Sequence, residues 1–594
     1  MIPDPLEIST IRAAYRAGSL NPVTVMQEML ARIEAWPDQA VFISRVPDAQ
    51  ILAAAAALAG AAPDLPLFGI PFVVKDNMDV AFMPTTAGCP EFAYTPTQDA
   101  TVVAKLRAAG AILLGKTNLD QFATGLNGTR SPYGAPRSVF NPDYISGGSS
   151  SGSAVAVGAG FAAFSLGTDT AGSGRVPAAF NNIIGLKPSI GRISAHGVVP
   201  ACKSLDCVSI FANSAADAVR VLKVAEGLDP ADCYSRAARD VTLPLQPRAG
   251  ILAARDRDFA GDEQAAALYE RTLRQAESLG WTLVEIGYAP FLEIALKLYG
   301  GAFVAERLAA VGKFYHTNAA AIHPVVRSIL EGAANITGAE VFADIYRTQT
   351  LRRLAQAELD RCDLLLLPTV PENFTVAEML EAPVARNARL GIYTNFVNLL
   401  DLAAIALPAG FTEDGLPFGV TLIGPAFSEL SLAACASALH AASGAGAGAS
   451  RGAPQSVEQP PPPPDELTIV VAGAHLSGMV LNHELLALGG RLVRAATTAP
   501  GYKLFALATA PPKPGLVRSP GFAAGCIAVE VWALSSENFG RFVAALPAPM
   551  GIGKVTLEDG TVHPGFLCEA YALQDAKDIT EYGGWRRYVA TRPA

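Results

Sequence analysis

The sequence predicts an α/β protein: a mixed, largely covered sheet in the first 440 residues, then a small β-rich α+β module. Three observations carry that prediction. Helical and strand-like patterns alternate along the large segment. A stretch of small residues running into five prolines, "AASGAGAGASRGAPQSVEQPPPPPDE" at 441–466, then divides the chain. Beyond it, strand patterns follow one another closely. A chain of 594 residues also exceeds one ordinary hydrophobic core. Domains are therefore expected at 1–440 and 467–594. The linker, 441–466, should begin as Gly/Ser coil and continue as a stiff, extended proline run.

In the large segment, "TVMQEMLARIEAW" (24–36) carries apolar residues at helical spacing. "FGIPFVVKD" (68–76) reads as a buried strand ending in charge, "ATVVAKLRAAG" (100–110) as a helix and "AILLGKTN" (111–118) as a strand. "AVAVGAGFAAFSLGTDT" (154–170) reads as a buried helix entering a strand, and "DLLLLPTVP" (363–371) as a strand stopped by proline. In the small module, "LTIVVAGAHLSG" (467–478), "YKLFALAT" (502–509), "CIAVEVWAL" (526–534) and "GKVTLEDGTVHPGFLCEAY" (553–571) are strand-rich. One helix is expected near "SENFGRFVAAL" (536–546).

Composition excludes several function classes. A net charge of −9 gives no general attraction to nucleic acid or anionic lipid. The longest apolar stretch, 152–168, is broken by Gly and Ser and is shorter than the roughly 20 residues a spanning helix needs. The amino end, "MIPDPLEIST", lacks a basic segment followed by an apolar one, so no secretory signal is expected. Eight scattered cysteines form no CxxC pair and suggest neither a zinc knuckle nor a disulfide scaffold. A soluble, cytoplasmic protein is the expectation.

Two motifs invite chemistry. "GAILLGKT", Gly110 to Thr117, matches the phosphate-loop pattern, but its middle residues form a buried strand rather than a loop. "ISGGSSSGSAVAVGAG" (145–160) followed by "LGTDTAGSGR" (166–175) is different. A linker does not fit, because a buried helix and strand follow at once. A phosphate nest remains open, although no Lys or Arg lies between 145 and 174. Nucleophilic catalysis is the third reading: a serine hydroxyl needs a base, and glycines beside it let the backbone approach a substrate. Histidine is the usual base, yet the large segment holds only His196, His316, His323 and His440, and no aspartate partner is evident. The hydrolase elbow G-x-S-x-G is met at 147–151 only in relaxed form. Lys75, ending an apolar strand, is placed for the desolvation that brings a lysine pKa towards neutrality.

Taken together, "GIPFVVKDN", "SGGSSSGSA" and "GTDTAGSGRVPAA" resemble the amidase signature family of serine amidohydrolases. Ser149 follows Lys75 by 74 residues and Ser173 follows Ser149 by 24. The resemblance spans most of 5–440, including "GLKPS" (185–189), "SLD" (204–206) and "GLPFGVTLIG" (415–424). It implies the amidase signature fold, with Ser173 as nucleophile, Ser149 beside a cis peptide as proton shuttle, and Lys75 as base. It also implies an oxyanion hole from the backbone N–H groups of Thr170, Ala171, Gly172 and Ser173. Ala171 stands where the family commonly has glycine. No metal or organic cofactor is implied, so chelators should leave activity intact.

"LKLYGGAFVAERLAAVGKFY" (296–315) is helical, and Tyr299 and Arg307 lie eight residues apart, about two turns, so both can reach one side of a helix. A guanidinium fork suits a carboxylate and a phenol adds a donor. The alternative is an exposed Arg307 paired with Glu306 or another acid and a core Tyr299. "LDQFATGLNGTRSPYG" (119–134), "LYGGAFVAERLAA" and the carboxy-terminal "GAHLSGMVLNHEL" resemble the allophanate hydrolases within that family. This implies hydrolysis of allophanate to ammonia and carbon dioxide in urea or triazine breakdown, after a biotin-dependent urea carboxylase. Tyr299 and Arg307 match the positions that grip the substrate carboxylate, and a homodimer is implied. The small module resembles the γ-glutamyl cyclotransferase-like fold, without the glutamate used there as base. His475 is its candidate residue, with a structural role as the alternative. Other amidase signature activities, biuret-type or of a glutamine-using amidotransferase subunit, are the competing readings.

Overall fold

The computed structural model describes residues 2–58, 64–453, 466–509, 511–522 and 526–591. Contacts divide it into one unit of Met1–Thr242 with Gln246–Gln459 and another of Leu243–Leu245 with Pro460–Ala594. In the large unit the strands are β1 (Phe42–Arg45), β2 (Pro71–Lys75), β3 (Ile112–Thr117), β4 (Phe164–Asp169), β5 (Ile184–Lys187) and β6 (Cys207–Ala212). They continue with β7 (Arg248–Leu252), β8 (Thr282–Ile286), β9 (Leu364–Pro368), β10 (Ala403–Phe411) and β11 (Pro417–Gly424). Among the described residues these eleven form one sheet in the order β1-β3-β2-β4-β6-β5-β10-β11-β9-β7-β8.

The sheet is mixed, as the sequence predicts. β2 runs parallel to β3 and β4, and β7 to β8 and β9, while β4, β5, β6, β10 and β11 pair antiparallel. Every residue of β2, β3 and β4 is buried, which explains their near-continuous apolar runs. Phe72 of β2 stacks on Phe164 of β4 with ring centroids 5.2 Å apart. That packing fixes the strand end bearing Lys75 beside the strand end that leads into Thr170.

"GAILLGKT" is indeed a strand, and its lysine holds no phosphate loop. Lys116 is buried in β3 and pairs with Asp76 at 3.0 Å. After the serine run, the helix Ser151–Gly158 is wholly buried. Its small residues are required: a Cβ on Gly152 would collide with the Val41 carbonyl.

The residues after 440 depart from the expected free coil. The helix Glu429–Ser443 runs on through the first of them. Asn182 Nδ2 then donates to the carbonyls of Ala445, Gly446 and Gly448 at 3.3–3.4 Å, and His440 Nε2 lies 2.8 Å from that of Gly446. Small residues let this loop lie close against the large unit, so its bonds override its flexible composition. The proline run at 460–464 lies outside the described residues.

In the small unit, β12 (Glu466–Val471), β13 (Arg491–Thr497), β14 (Tyr502–Leu507), β15 (Lys513–Arg518) and β16 (Ala528–Ser535) precede β17 (Met550–Thr556), β18 (Val562–Cys568) and β19 (Lys577–Asp578). They form a five-stranded sheet, β13-β16-β12-β18-β17, and a three-stranded one, β15-β14-β19. The expected helix is Ser536–Ala544, its N-terminus capped by Ser535 and its Phe542 buried in the core.

Candidate active site

Lys75 ends β2 with its ammonium fully buried. Nζ donates to Ser149 Oγ at 2.8 Å and to Thr168 Oγ1 at 2.7 Å. Burial pulls its pKa down to about 7, against the opposing pull of Asp120, Asp206 and Asp169. Ser149 follows a cis peptide after Gly148. Gly148 has no room for a side chain, because a Cβ there would strike Asp120 Oδ2. Asp120 in turn accepts the N–H groups of Gly128 and Arg130 at 3.0 and 2.9 Å.

Ser173 lies in the turn between β4 and the helix Val176–Phe180. Its buried Oγ faces the Gly125 carbonyl at 3.4 Å and makes no hydrogen bond to Ser149. The turn is pinned from behind by Asp169. That carboxylate takes Arg175 in a two-pronged pair at 2.9 and 3.0 Å, and accepts the N–H groups of Gly172 and Gly174. The Gly172 N–H is therefore occupied, unlike the expected oxyanion donor. Those of Thr170, Ala171 and Ser173 donate to no described residue. Gly172 has φ +140°, and a Cβ on it would lie 2.5 Å from Thr394 Oγ1, which explains glycine there.

Tyr299 and Arg307 meet, but not on one helix. The chain breaks at Gly301, which is extended, so Tyr299 ends the helix Ala289–Gly300 and Arg307 sits in Ala302–Val311. The guanidinium nevertheless lies over the Tyr299 ring, 4.8 Å from its centroid. The alternative of a surface ion pair fails: Arg307 is 1% exposed. Glu306 instead accepts from Ser204 N and Oγ at 2.7 and 2.8 Å. Arg307 Nη1 reaches Thr124 Oγ1 at 3.3 Å, while Nε, Nη2 and the Tyr299 hydroxyl are buried with no partner among the described residues. Thr124 is the neighbour of Gly125, so the chain links Arg307 to the carbonyl facing Ser173.

None of the four histidines weighed as a base is hydrogen-bonded to Ser149 or Ser173. In the small unit, His475 Nε2 lies 2.8 Å from Glu484 Oε2, and its ring stacks on Phe566. It lines a cavity of about 450 Å³ with Glu484 and Lys513 as the other charged residues.

A family model described as Amidase matches residues 24–432. The chain belongs to the amidase family. A second model, the allophanate hydrolase C-terminal domain, matches residues 467–590 of this amidase. Kluyveromyces lactis allophanate hydrolase superposes with a TM-score of 0.82 at 39% identity, covering 98% of both chains. The urea amidolyase of Lachancea kluyveri is 43% identical over 545 residues, 88% of this chain. The chain spans only 30% of that relative's length. A glutamyl-tRNA(Gln) amidotransferase subunit from Symbiobacterium thermophilum is 35% identical over 71% of this chain and 94% of its own. The resemblance to the allophanate hydrolases of the amidase signature family is thus borne out over nearly the whole chain.

Sequence reasoning missed several residues that build the amidase site. Thr168 gives Lys75 its second bond, and Asp206 accepts the Thr170 hydroxyl. Arg130, fully buried, holds the Thr124 carbonyl at 2.9 Å. The Asp169–Arg175 pair carried a readable signal: two opposite charges, six residues apart, in an otherwise uncharged stretch.

Proposed function

We propose that the chain hydrolyses allophanate, urea bearing an N-carboxylate, to ammonia and carbon dioxide. The observation that carries this reading is Arg307, buried beside Tyr299 with two guanidinium nitrogens and the phenol unbonded. Buried donors without acceptors are costly, and a substrate carboxylate removes that cost. A neutral amide does not, so the pocket selects against it.

The positions of the side chains support the following reaction. Lys75, neutral above about pH 7, takes the Ser149 proton as Ser149 takes that of Ser173. Ser173 Oγ adds to the ureido carbonyl, and the open N–H groups of Thr170, Ala171 and Ser173 receive the oxyanion. Collapse breaks the bond to the terminal nitrogen, which leaves as ammonia with the proton returned through Ser149. Water, activated by the same pair, then cleaves the Ser173 ester and releases N-carboxycarbamate. Loss of carbon dioxide from that product gives carbamate, which yields ammonia and a second carbon dioxide. His475 is our candidate for handling the N-carboxylated product, supported by its place with Lys513 in the lining of one cavity.

We propose further that a biotin-dependent urea carboxylase supplies the substrate, in urea or triazine breakdown; the similarity to a urea amidolyase supports the urea route. A second copy of the chain is the proposed partner. Exposed Leu292 and Leu296 on one helix, with Phe342, Ile345 and Tyr346 on the helix packed against it, offer an apolar surface for it. All eight cysteines are free thiols, which supports a reducing, cytoplasmic setting. Among the described residues no helix is long and apolar enough to cross a membrane.

The test is ammonia release from allophanate beside urea, biuret, malonamate and glutamine, with Ser173→Ala and Arg307→Ala as controls. Turnover that vanishes with the first and falls steeply with the second is expected. Turnover of neutral amides alone, indifferent to Arg307, would replace allophanate by another amide.

A further inference from the structure

Ser149, Ser173 and Arg307 are all buried, so a substrate must have a way in. A cavity of about 370 Å³ opens between the segments 195–206 and 231–234 of the large unit. Asp206 is part of its lining and is also bonded to the turn that carries Ser173: its carboxylate accepts the Thr170 hydroxyl and the Ala201 and Cys202 N–H groups. The same short loop reaches the other half of the site. Ser204 bonds to Glu306, the neighbour of Arg307, and Cys202 Sγ lies 3.5 Å from the Phe303 carbonyl of that helix. The cavity therefore abuts a loop tied at one end to the oxyanion turn and near its middle to the arginine helix.

The polar groups of the cavity leave one cation free for an anion. Its two acids are each held by hydrogen-bond donors. Asp206 has the three just named, and Asp232 accepts the Ala195 and Tyr234 N–H groups at 2.8 and 2.9 Å. Its two bases, Lys203 and His196, are exposed, and among the described residues their side chains make no hydrogen bond or ion pair. A small carboxylate entering here finds the unpaired Lys203 ammonium, while Asp206 and Asp232 already hold donors of their own.

We propose that this cavity is the antechamber through which a small anionic substrate reaches Ser173, drawn by Lys203 and admitted past Asp206. The inference rests on the reading of Ser173 as nucleophile and is separable from the choice of allophanate. Cys233 supplies the test, because its thiol is exposed and lies in the cavity wall.

The full-length enzyme is treated with thiol reagents of increasing size, from methyl methanethiosulfonate to fluorescein maleimide. Labelling is counted by mass spectrometry, and kcat/KM is read for allophanate and for a neutral amide. Loss of kcat/KM should grow with reagent size for both substrates, and Cys233→Ser should lose nothing further under the same treatment. Full labelling of Cys233 without loss overturns the proposal, as does equal loss in Cys233→Ser. In a second arm, Lys203→Glu should lower kcat/KM for allophanate about tenfold, the low end of what a focused field gives, while sparing the neutral amide. Added salt should shrink that difference, and Lys203→Arg should restore the rate. Equal effects of Lys203→Glu on both substrates overturn the anion recognition. If allophanate is not turned over at all, blockage of neutral-amide turnover through Cys233 still decides the route.

Discussion

Lys75 and Arg307 are both basic side chains buried in the same amidase unit, yet their surroundings are finished differently. Lys75 is bonded on two sides, and no polar side-chain atom of Lys75, Ser149, Thr168 or Ser173 is stranded. Arg307 has one long bond, with two of its nitrogens and the adjacent phenol left over. The first arrangement is complete before any substrate arrives, so it can move a proton for any amide. The second is complete only with an anion in place. On the proposed reading, chemistry and selectivity reside in different residues and should fail separately.

The sharpest way to break that separation is to remove the chemistry alone. Ser173→Ala and Lys75→Ala should each lower kcat by about 10⁴-fold, and the double variant should be little worse than either, because the residues act as one unit. Stopped assays of ammonia release check this, with substrate binding followed by calorimetry. Binding of an unreactive carboxylate analogue should survive in Ser173→Ala. Next comes Arg307→Ala, which should lower kcat/KM for allophanate about 10²–10³-fold by leaving the substrate carboxylate unpaired in a buried place. Neutral amides should lose far less. Arg307→Lys should recover only part of the rate, since an ammonium lacks the planar fork.

The same contrast explains what the sequence made legible. Lys75, Ser149 and Ser173 stand in three motifs whose order and residue types are specific, so they were readable together. Thr168 was not, because a threonine inside a buried strand has no pattern that separates it from core. Tyr299 and Arg307 were legible as a pair and misread as one helix. Their spacing suits two turns, but Gly300-Gly301 breaks the helix, and the contact survives because the two helices pack against each other. The free N–H groups of Thr170, Ala171 and Ser173 depend on where Asp169 points, which no local pattern fixes. In the fold, buried strands such as β2, β3 and β9 were read directly from their apolar runs. β13 and β15 were not singled out, because their residues are mixed in polarity and only tertiary pairing makes them strands.

A smaller effect tests the burial of Lys75 through stability. Lowering its pKa from 10.5 to about 7 corresponds to roughly 5 kcal/mol against the folded state, taken to order of magnitude. The folded chain binds the proton less tightly than the unfolded one. The penalty is therefore fully present below pH 7 and fades as pH rises from about 7 towards 10.5. Lys75→Met should be inactive yet more stable at pH 6, by roughly 2 kcal/mol once the lost bonds to Ser149 and Thr168 are set against it. The gain should disappear by about pH 10. Urea unfolding at the two pH values measures both.

The smallest expected effect is the pH dependence of the wild-type rate, and it asks whether Lys75 alone controls the proton. The active form is the neutral amine, so kcat/KM should climb with pH, level off above an apparent pKa near 7 and lie about tenfold below its plateau at pH 6. A second group titrates close by: burial pushes the Asp206 carboxyl up to about 6. Asp206 holds the Thr170 hydroxyl, so its protonation loosens the oxyanion turn rather than the base. Below pH 6 both losses act, and the acid limb should steepen from one proton to two. Asp206→Asn should lower the plateau, restore the single-proton slope and, by removing one of the charges that hold the Lys75 pKa up, move the midpoint slightly below 7. A midpoint that falls by more than about one unit with Asp206→Asn would instead make the carboxylate and the lysine one coupled titration, and the separation drawn between proton transfer and the rest of the site would end at that residue.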